Sequence, residues 1–251
     1  MTILAIDTST QWCSVALVNP QGGSGQPQSP LSSKDLIRHE NLGPESSQHA
    51  LDWVEALLEE AQLSFRDLTA IAVGIGPGAF TGIRIGVGIG QGMAFAADLP
   101  CLPIVCLDAV ALEGIRQLRL KENDTVIAAV DARMSEVYWA RYIVEANGLP
   151  ERQDDVYLSA PKDIEVPGTP FALVGNAVTA YPEDMLAIRQ QAMAIDETAV
   201  PHARSIARLG FDALENGLQV SAAELQPIYV RDKVAQTIAE REHEKSQQEK
   251  S

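Results

Sequence analysis

Ile3-Leu-Ala-Ile-Asp7, a short polar turn and Cys13-Ser-Val-Ala-Leu-Val18 open the chain, and the pattern returns as Val126-Ile-Ala-Ala-Val-Asp131, a polar turn and Val137-Tyr-Trp-Ala-Arg-Tyr142. Each copy reads as a buried strand ending in aspartate, a turn and a second strand, so each is a hairpin that opens a half-molecule. An internal echo of this kind predicts a duplicated α/β pair. The boundaries are a first half over 1–103, a second over 104–231 and a polar tail over 232–251. The last helix is a candidate to pack back on the first half.

Between the hairpins runs Gly74-Ile-Gly-Pro-Gly-Ala-Phe-Thr-Gly-Ile-Arg-Ile-Gly-Val-Gly-Ile-Gly-Gln-Gly92, with glycine at eight of nineteen positions. Ile71 to Gly74 reads as the end of a buried strand, Gly76-Pro77-Gly78 as a turn and Ile83 to Ala97 as an apolar helix. Strand, glycine turn and helix can aim backbone N–H groups at an anion. The Lys-Ser/Thr of a Walker loop is missing, however, and Gly74-x-Gly76 does not continue into the dinucleotide fingerprint. A structural turn packed against a neighbour is the better-supported reading. Gly86, Gly88, Gly90 and Gly92 each cost roughly 1 kcal/mol of helix propensity relative to alanine, so close backbone approach has to offset them. Residues four apart share a face, which leaves two glycine faces, Gly86 with Gly90 and Gly88 with Gly92.

Ser46 to Ala61 carries Ala50, Leu51, Trp53, Val54, Leu57, Leu58 and Ala61 at helical spacing, with Ser46 as candidate N-cap. That stripe is wider than one buried face requires. Leu107 to Leu120 reads as a helix, and Phe171 to Val174 as a strand delivered into Gly175-Asn176. Ala203 to Asn216 is a helix ended by Gly217. Gly22 to Pro30 reads as a surface loop, and Asp232 to Ser251 as a frayed helix or disordered tail.

Composition narrows the function. The 251 residues, 46% apolar, are enough for a sizeable core. No run of about 18 uninterrupted apolar residues suggests a membrane helix, and no basic segment precedes an apolar run at the N-terminus. Both point to a cytoplasmic protein. The thiols Cys13, Cys101 and Cys106 form no CxxC pair and read as buried and reduced. The imidazoles His39, His49, His202 and His243 lack the i, i+4 spacing of a helical metal site. With 19 basic against 34 acidic residues, a formal charge of −15, the chain alone repels nucleic acid and suits a basic partner or a minor contact within a complex.

Several residues invite chemistry. Asp7, with Thr8 and Ser9, and Asp131 end the two first strands, where an acid either positions a metal and water beside a phosphate or caps its own turn. Gly175 follows a third strand in the same manner. Ser14, Ser46 and Ser47 near His39 or His49 raise a hydrolase reading, but no Gly-x-Ser-x-Gly elbow presents a nucleophile. Phe80 and Arg84 suit an interface hot spot, and Phe80 also suits a hole between sheet and helix.

Val73-Gly74 through Gly86, together with Ile3 to Ser9 and Val130-Asp131-Ala-Arg133-Met-Ser-Glu136-Val-Tyr138, resembles the TsaB (YeaZ) family, and the match runs to about Arg231. Ala79, where the family usually has serine, is one departure; the loop at 21–30 and the extra glycines after Arg84 are others. The resemblance implies two actin-like (ribonuclease H-like) α/β halves, each a mixed sheet with flanking helices. It implies a non-catalytic accessory subunit in forming N6-threonylcarbamoyladenosine at position 37 of tRNAs that read ANN codons. In that scheme a separate enzyme makes threonylcarbamoyl-AMP from threonine, bicarbonate and ATP. The catalytic paralogue TsaD transfers the group, with the ATPase TsaE as a further partner, and tRNA is met only within the complex. TsaD holds its metal with a pair of helix-borne histidines, of which this chain keeps His49 alone. No catalytic residue, metal or directly bound cofactor is expected, and Asp7, Thr8, Ser9, Asp131 and Gly175 are read as a vestigial phosphate site. The expected partner surface, for TsaD or a second copy in a homodimer, is Ala50, Leu51, Val54, Leu58, Phe80, Arg84, Gly86, Gly90 and Met93. Two readings compete: a small-molecule kinase or ATPase of the actin-like superfamily, and a metalloprotease, against which the missing histidine pair argues.

Overall fold

The structure is a computed structural model that describes residues 1–19 and 35–231. The loop at 21–30 and the tail at 232–251 lie outside the described residues. The first hairpin pairs β1 (Ile3–Asp7) with β2 (Trp12–Val18), in register Ile3 to Val18 and Asp7 to Ser14. Strand β3 (Leu36–Asn41) extends it on one side, and the parallel strands β4 (Ala70–Gly74) and β5 (Cys101–Ile104) extend it on the other, in the order β3-β2-β1-β4-β5. The second hairpin, β6 (Thr125–Arg133) with β7 (Glu136–Val144), repeats the plan. Its sheet adds β8 (Pro150–Arg152), β9 (Tyr157–Ser159), β10 (Phe171–Val174) and β11 (Ala194–Asp196), in the order β11-β10-β6-β7-β8 with β9 also on β7. In each sheet the first strand of the hairpin pairs antiparallel with its neighbour on one side and parallel on the other. Two mixed sheets with flanking helices make this an actin-like α/β fold.

A strand buried on both faces has to be apolar throughout, and β1 meets that condition. Leu4 and Ile6 pack on one face with α1 (Ala50–Ala61) and α2 (Phe80–Ala97); Ile3 and Ala5 pack on the other with α6 (Ala203–Glu215). Helix α3 (Cys106–Leu118) covers the second sheet through Val110, Ala111 and Ile115 against Val126, Ala128 and Tyr142. The far face of that sheet closes on α4 (Ala177–Ala180) and α5 (Leu186–Gln191) through Ile127, Trp139 and Met185.

Two helix starts differ from the sequence expectation. Gly43–His49 is a 3-10 helix and the α-helix begins only at Ala50. Ser46 does not cap it: its hydroxyl donates to the Thr10 carbonyl at 3.0 Å, while the N–H groups of Leu42 and Gly43 donate to the Gln11 carbonyl. These long-range bonds tie the segment to the β1–β2 turn and outweigh local capping. Helix α2 starts at Phe80, three residues earlier than expected, because the Ala79 N–H is fixed by the Ser9 carbonyl at 2.7 Å.

After α6, residues 218–231 form a strap over both lobes. Val220 exchanges two backbone hydrogen bonds with Cys101 on the edge strand β5. Leu225 is fully buried against the glycine helix, where Gln91 Nε2 donates to its carbonyl at 2.8 Å. Ile228 donates its N–H to Ile75 and packs against both the first-sheet core and the α3 core. Arg231 ends the strap on the second hairpin, donating to the Ala132 carbonyl at 3.1 Å and to Glu136 at 2.6 Å. Truncating Leu225 to alanine leaves a cavity beside a helix that has no side chain at Gly90 to fill it. The expected loss is about 2–4 kcal/mol in denaturant unfolding, and an unchanged midpoint would show the strap to be passive.

Candidate functional site

The two hairpin turns face each other across a cleft of about 740 Å³. Ser9 to Trp12, the Pro77–Gly82 turn and Ser46-Ser47 form one wall; Val130 to Arg133, Tyr138, Asn176 and residues 197–201 form the other. The wall of the first lobe is rich in hydroxyl and backbone groups. Opposite it, Asp131 and Arg133 are already paired at 3.0 Å.

The five residues expected to hold phosphate are not gathered here. Ser9 and Asp131 line the cleft; Asp7, Thr8 and Gly175 do not. Asp7 ends β1 fully enclosed, accepting from the Ser9 N–H at 3.1 Å, the Ser9 hydroxyl at 2.9 Å and the Cys106 thiol at 3.2 Å. Burial raises its pKa, against the lowering effect of those bonds. A side chain on Gly74 would overlap the Asp7 carboxylate, so the acid is part of the packing between β1, β4 and α3. Thr8 donates to the Gly82 carbonyl at 2.7 Å. Asp131 accepts from the Arg133 N–H and the Tyr181 hydroxyl, each at 2.7 Å. Gly175, at φ +106°, sits where a Cβ would overlap the Ala129 carbonyl, which is a requirement of the backbone path alone. The structure thus corrects the phosphate reading at Asp7, Thr8 and Gly175, whose groups serve turn packing.

The partner-surface expectation is corrected as well. Ala50, Val54, Leu58, Gly86, Gly90 and Met93 are buried within the first lobe. A Cβ on Gly90 would press Val73 at 2.5 Å, and one on Gly86 would press the Thr8 hydroxyl at 2.6 Å. This glycine face receives the protein's own sheet. Leu51 (44% exposed), Phe80 (41%) and Arg84 remain outside. The outward face of α2 holds Gly88 and Gly92, with open space around each, and Phe95 at 84% exposure. The helical period identifies both glycine faces but not the one that meets the sheet.

The sequence reading named Ser14 with His39 but not the cluster that surrounds them. His39 stacks between Trp12 (ring centroids 4.5 Å apart) and His202 (4.0 Å). Its Nδ1 lies 2.9 Å from the Ser14 hydroxyl, which also accepts the Ala203 N–H at 2.8 Å. Ser14 is fully buried and already engaged, so the pair lacks the access a nucleophile requires. Beside it Glu113 accepts two bonds from Arg204, at 2.8 and 2.6 Å, and one from Ser205 at 2.5 Å, with Arg116 at 3.0 Å. Burial would raise the Glu113 pKa, but the Arg204 and Ser205 contacts outweigh it and hold the value at about 2. Burial lowers His39 to about 4 and His202 to about 3, the latter with further repulsion from His39 and Arg204.

These shifts set a pH dependence. Both imidazoles are neutral when folded and titrate near 6.5 when unfolded, so unfolding takes up protons as pH falls below 6.5. Stability should be flat above pH 7 and fall from pH 6.5 towards 4, with Glu113 adding its loss only below about 4.5. Unfolding free energy measured against pH should show about one proton more taken up near pH 5 by the parent than by His202→Gln, the difference isolating the imidazole from carboxyls such as Asp7 whose raised pKa acts with the opposite sign. Parallel profiles for the two proteins down to pH 4.5 would rule out neutral burial of His202.

Against known proteins, a family model described as "TsaD: tRNA N6-adenosine threonylcarbamoyltransferase" matches residues 40–239. The tRNA threonylcarbamoyladenosine biosynthesis protein TsaB of Escherichia coli (strain K12) is 34% identical over 246 residues, spanning 94% of this chain and 96% of that protein. Its Haemophilus influenzae namesake is 30% identical over 93% and 95% of the two chains. The solved structure of YeaZ from Pseudomonas aeruginosa superposes with a TM-score of 0.78 at 34% identity, covering 91% of this chain and 99% of that one. Identity at this level, across nearly the whole length and both lobes, shows that the chain belongs to the TsaB (YeaZ) family.

Proposed function

We propose that this chain is a non-catalytic accessory subunit in the formation of N6-threonylcarbamoyladenosine at position 37 of tRNAs that read ANN codons, acting in the cytoplasm with TsaD and TsaE. The observation that carries the reading is the whole-length match to proteins bearing the TsaB name. Two features of the molecule agree with it. Asp7 is committed to packing, and an exposed stripe on α2 (Arg84, Gly88, Gly92 and Phe95) offers a surface for a subunit. Phe80, against the Arg84 guanidinium, completes that surface, in which glycine permits close backbone approach. In this reading threonylcarbamoyl-AMP and ATP are handled by partner subunits. The formal charge of −15 leaves tRNA contact to the assembled complex.

A reading as a small-molecule kinase or ATPase draws on the cleft between the hairpin turns. Calorimetry with ATP and magnesium separates the two, since micromolar binding with turnover belongs to the kinase alone.

Reconstitution tests the subunit directly. tRNA modification by TsaD, TsaE and the adenylate-forming enzyme should require this chain, and Asp7→Asn should support it if the variant folds. Full-rate modification without the chain would end the proposal. Within the chain, Gly92→Leu should leave the melting temperature within about 2 °C and weaken subunit pairing, while Gly90→Leu should prevent folding because Val73 occupies the space. The reverse pattern would place the interface on the inner face.

A further inference from the structure

The guanidinium of Arg84 is held as a ready-made anion receptor. It lies 3.4 Å from the Phe80 ring centroid and 5.3 Å from that of Tyr229, and its Nε donates to the Tyr229 hydroxyl at 2.9 Å. Phe80 is one helical turn away on α2, whereas Tyr229 arrives on the strap, which Ile228 and Arg231 fix on either side. Both rings stay exposed, Tyr229 at 53%. The two terminal amino groups of Arg84 make no hydrogen bond or ion pair among the described residues, while eight other arginines each have an acid within 4.0 Å. The placement is also electrostatically unfavourable. Arg84 is the fifth residue of a helix with no acid in its first turn, so its charge meets the positive end of the helix dipole uncompensated. A fold that immobilises such a cation, with its planar fork outward between two aromatic faces, has the form of an interface anchor whose counter-charge comes from outside.

We infer that Arg84, framed by Phe80 and Tyr229, clamps an aspartate or glutamate side chain of a protein partner, with apolar neighbours of that acid resting on the two rings. A carboxylate fits better than an RNA backbone. Arg84 offers a single guanidinium on a chain of charge −15, which suits one anion, whereas successive phosphates need several cations. Arg84 also heads the exposed α2 stripe, so the clamp is continuous with the surface proposed for subunit pairing. The choice of partner rests on that proposal.

The test uses full-length chain with TsaD of the same organism as the probe, and tRNA alone as a second probe. Arg84→Glu should weaken TsaD binding about 100-fold, and Arg84→Lys about tenfold, since lysine keeps the charge but loses the bidentate fork and the stacking. Melting curves of both variants should match the parent, and retention of tRNA alone should not change. Asp→Arg or Glu→Arg substitutions in TsaD should include one that restores binding to Arg84→Glu. If Arg84→Glu binds TsaD within twofold of the parent while Gly92→Leu does not, the clamp is refuted and the pairing surface stands. If Arg84→Glu loses tRNA but keeps TsaD, the anion is a phosphate and the carboxylate assignment is wrong. If the parent chain itself does not bind TsaD, the subunit proposal fails and the clamp's partner with it.

Discussion

The β1–β2 turn approaches the glycine turn so closely that backbone meets backbone. Side chains on Gly78 and Gly82 would overlap the carbonyls of Ser9 and Thr8, and the Ala79 N–H closes the contact on Ser9. That approach fixes the starting point and direction of α2, and through Asp7 and Cys106 it also fixes the start of α3. One wall of the cleft, the inner glycine face against Val73 and the outward stripe all follow from it. The glycines at the turn are therefore required by geometry, and their lost helix propensity is offset by packing that a larger residue would forbid.

The lobes are joined by two devices of different physical character. The Glu113 cluster ties α3 to α6 by charge-assisted hydrogen bonds in a mostly buried setting. Such a network contributes less net stability than its short distances suggest, because desolvation opposes it, yet removing one partner is costly. The strap works through apolar contact, with Leu225 seated in the first lobe and Ile228 touching both cores. Between them, charge complementarity defines the register of α3 on α6, and hydrophobic burial holds it.

A strongly acidic chain with a local, preordered cation illustrates how a small surface element outweighs a global property. Long-range repulsion governs encounter with polyanions. Arg84 acts at contact distance, where the planar fork and the flanking rings of Phe80 and Tyr229 decide what is accepted.

The duplicated hairpins were legible from residues alone because a strand buried on both faces has no alternative to an apolar run. Ile3–Asp7 and Phe171–Val174 have the bounds the sequence implies, and Gly217, at φ +71°, follows α6 as a C′ glycine should. The motifs around Gly74 to Gly86 and Val130 to Tyr138 carried the family. Local sequence could not assign direction. A period of 3.6 residues gives Gly86 with Gly90 and Gly88 with Gly92 as equivalent faces, and only the position of Val73 on β4 selects the first for burial. Ser46, Asp7 and His39 each have a sound local role available as cap, metal acid or catalytic base. What they do is set by Thr10, Cys106 and His202, which the chain brings near only when the first sheet and the helices around it are assembled.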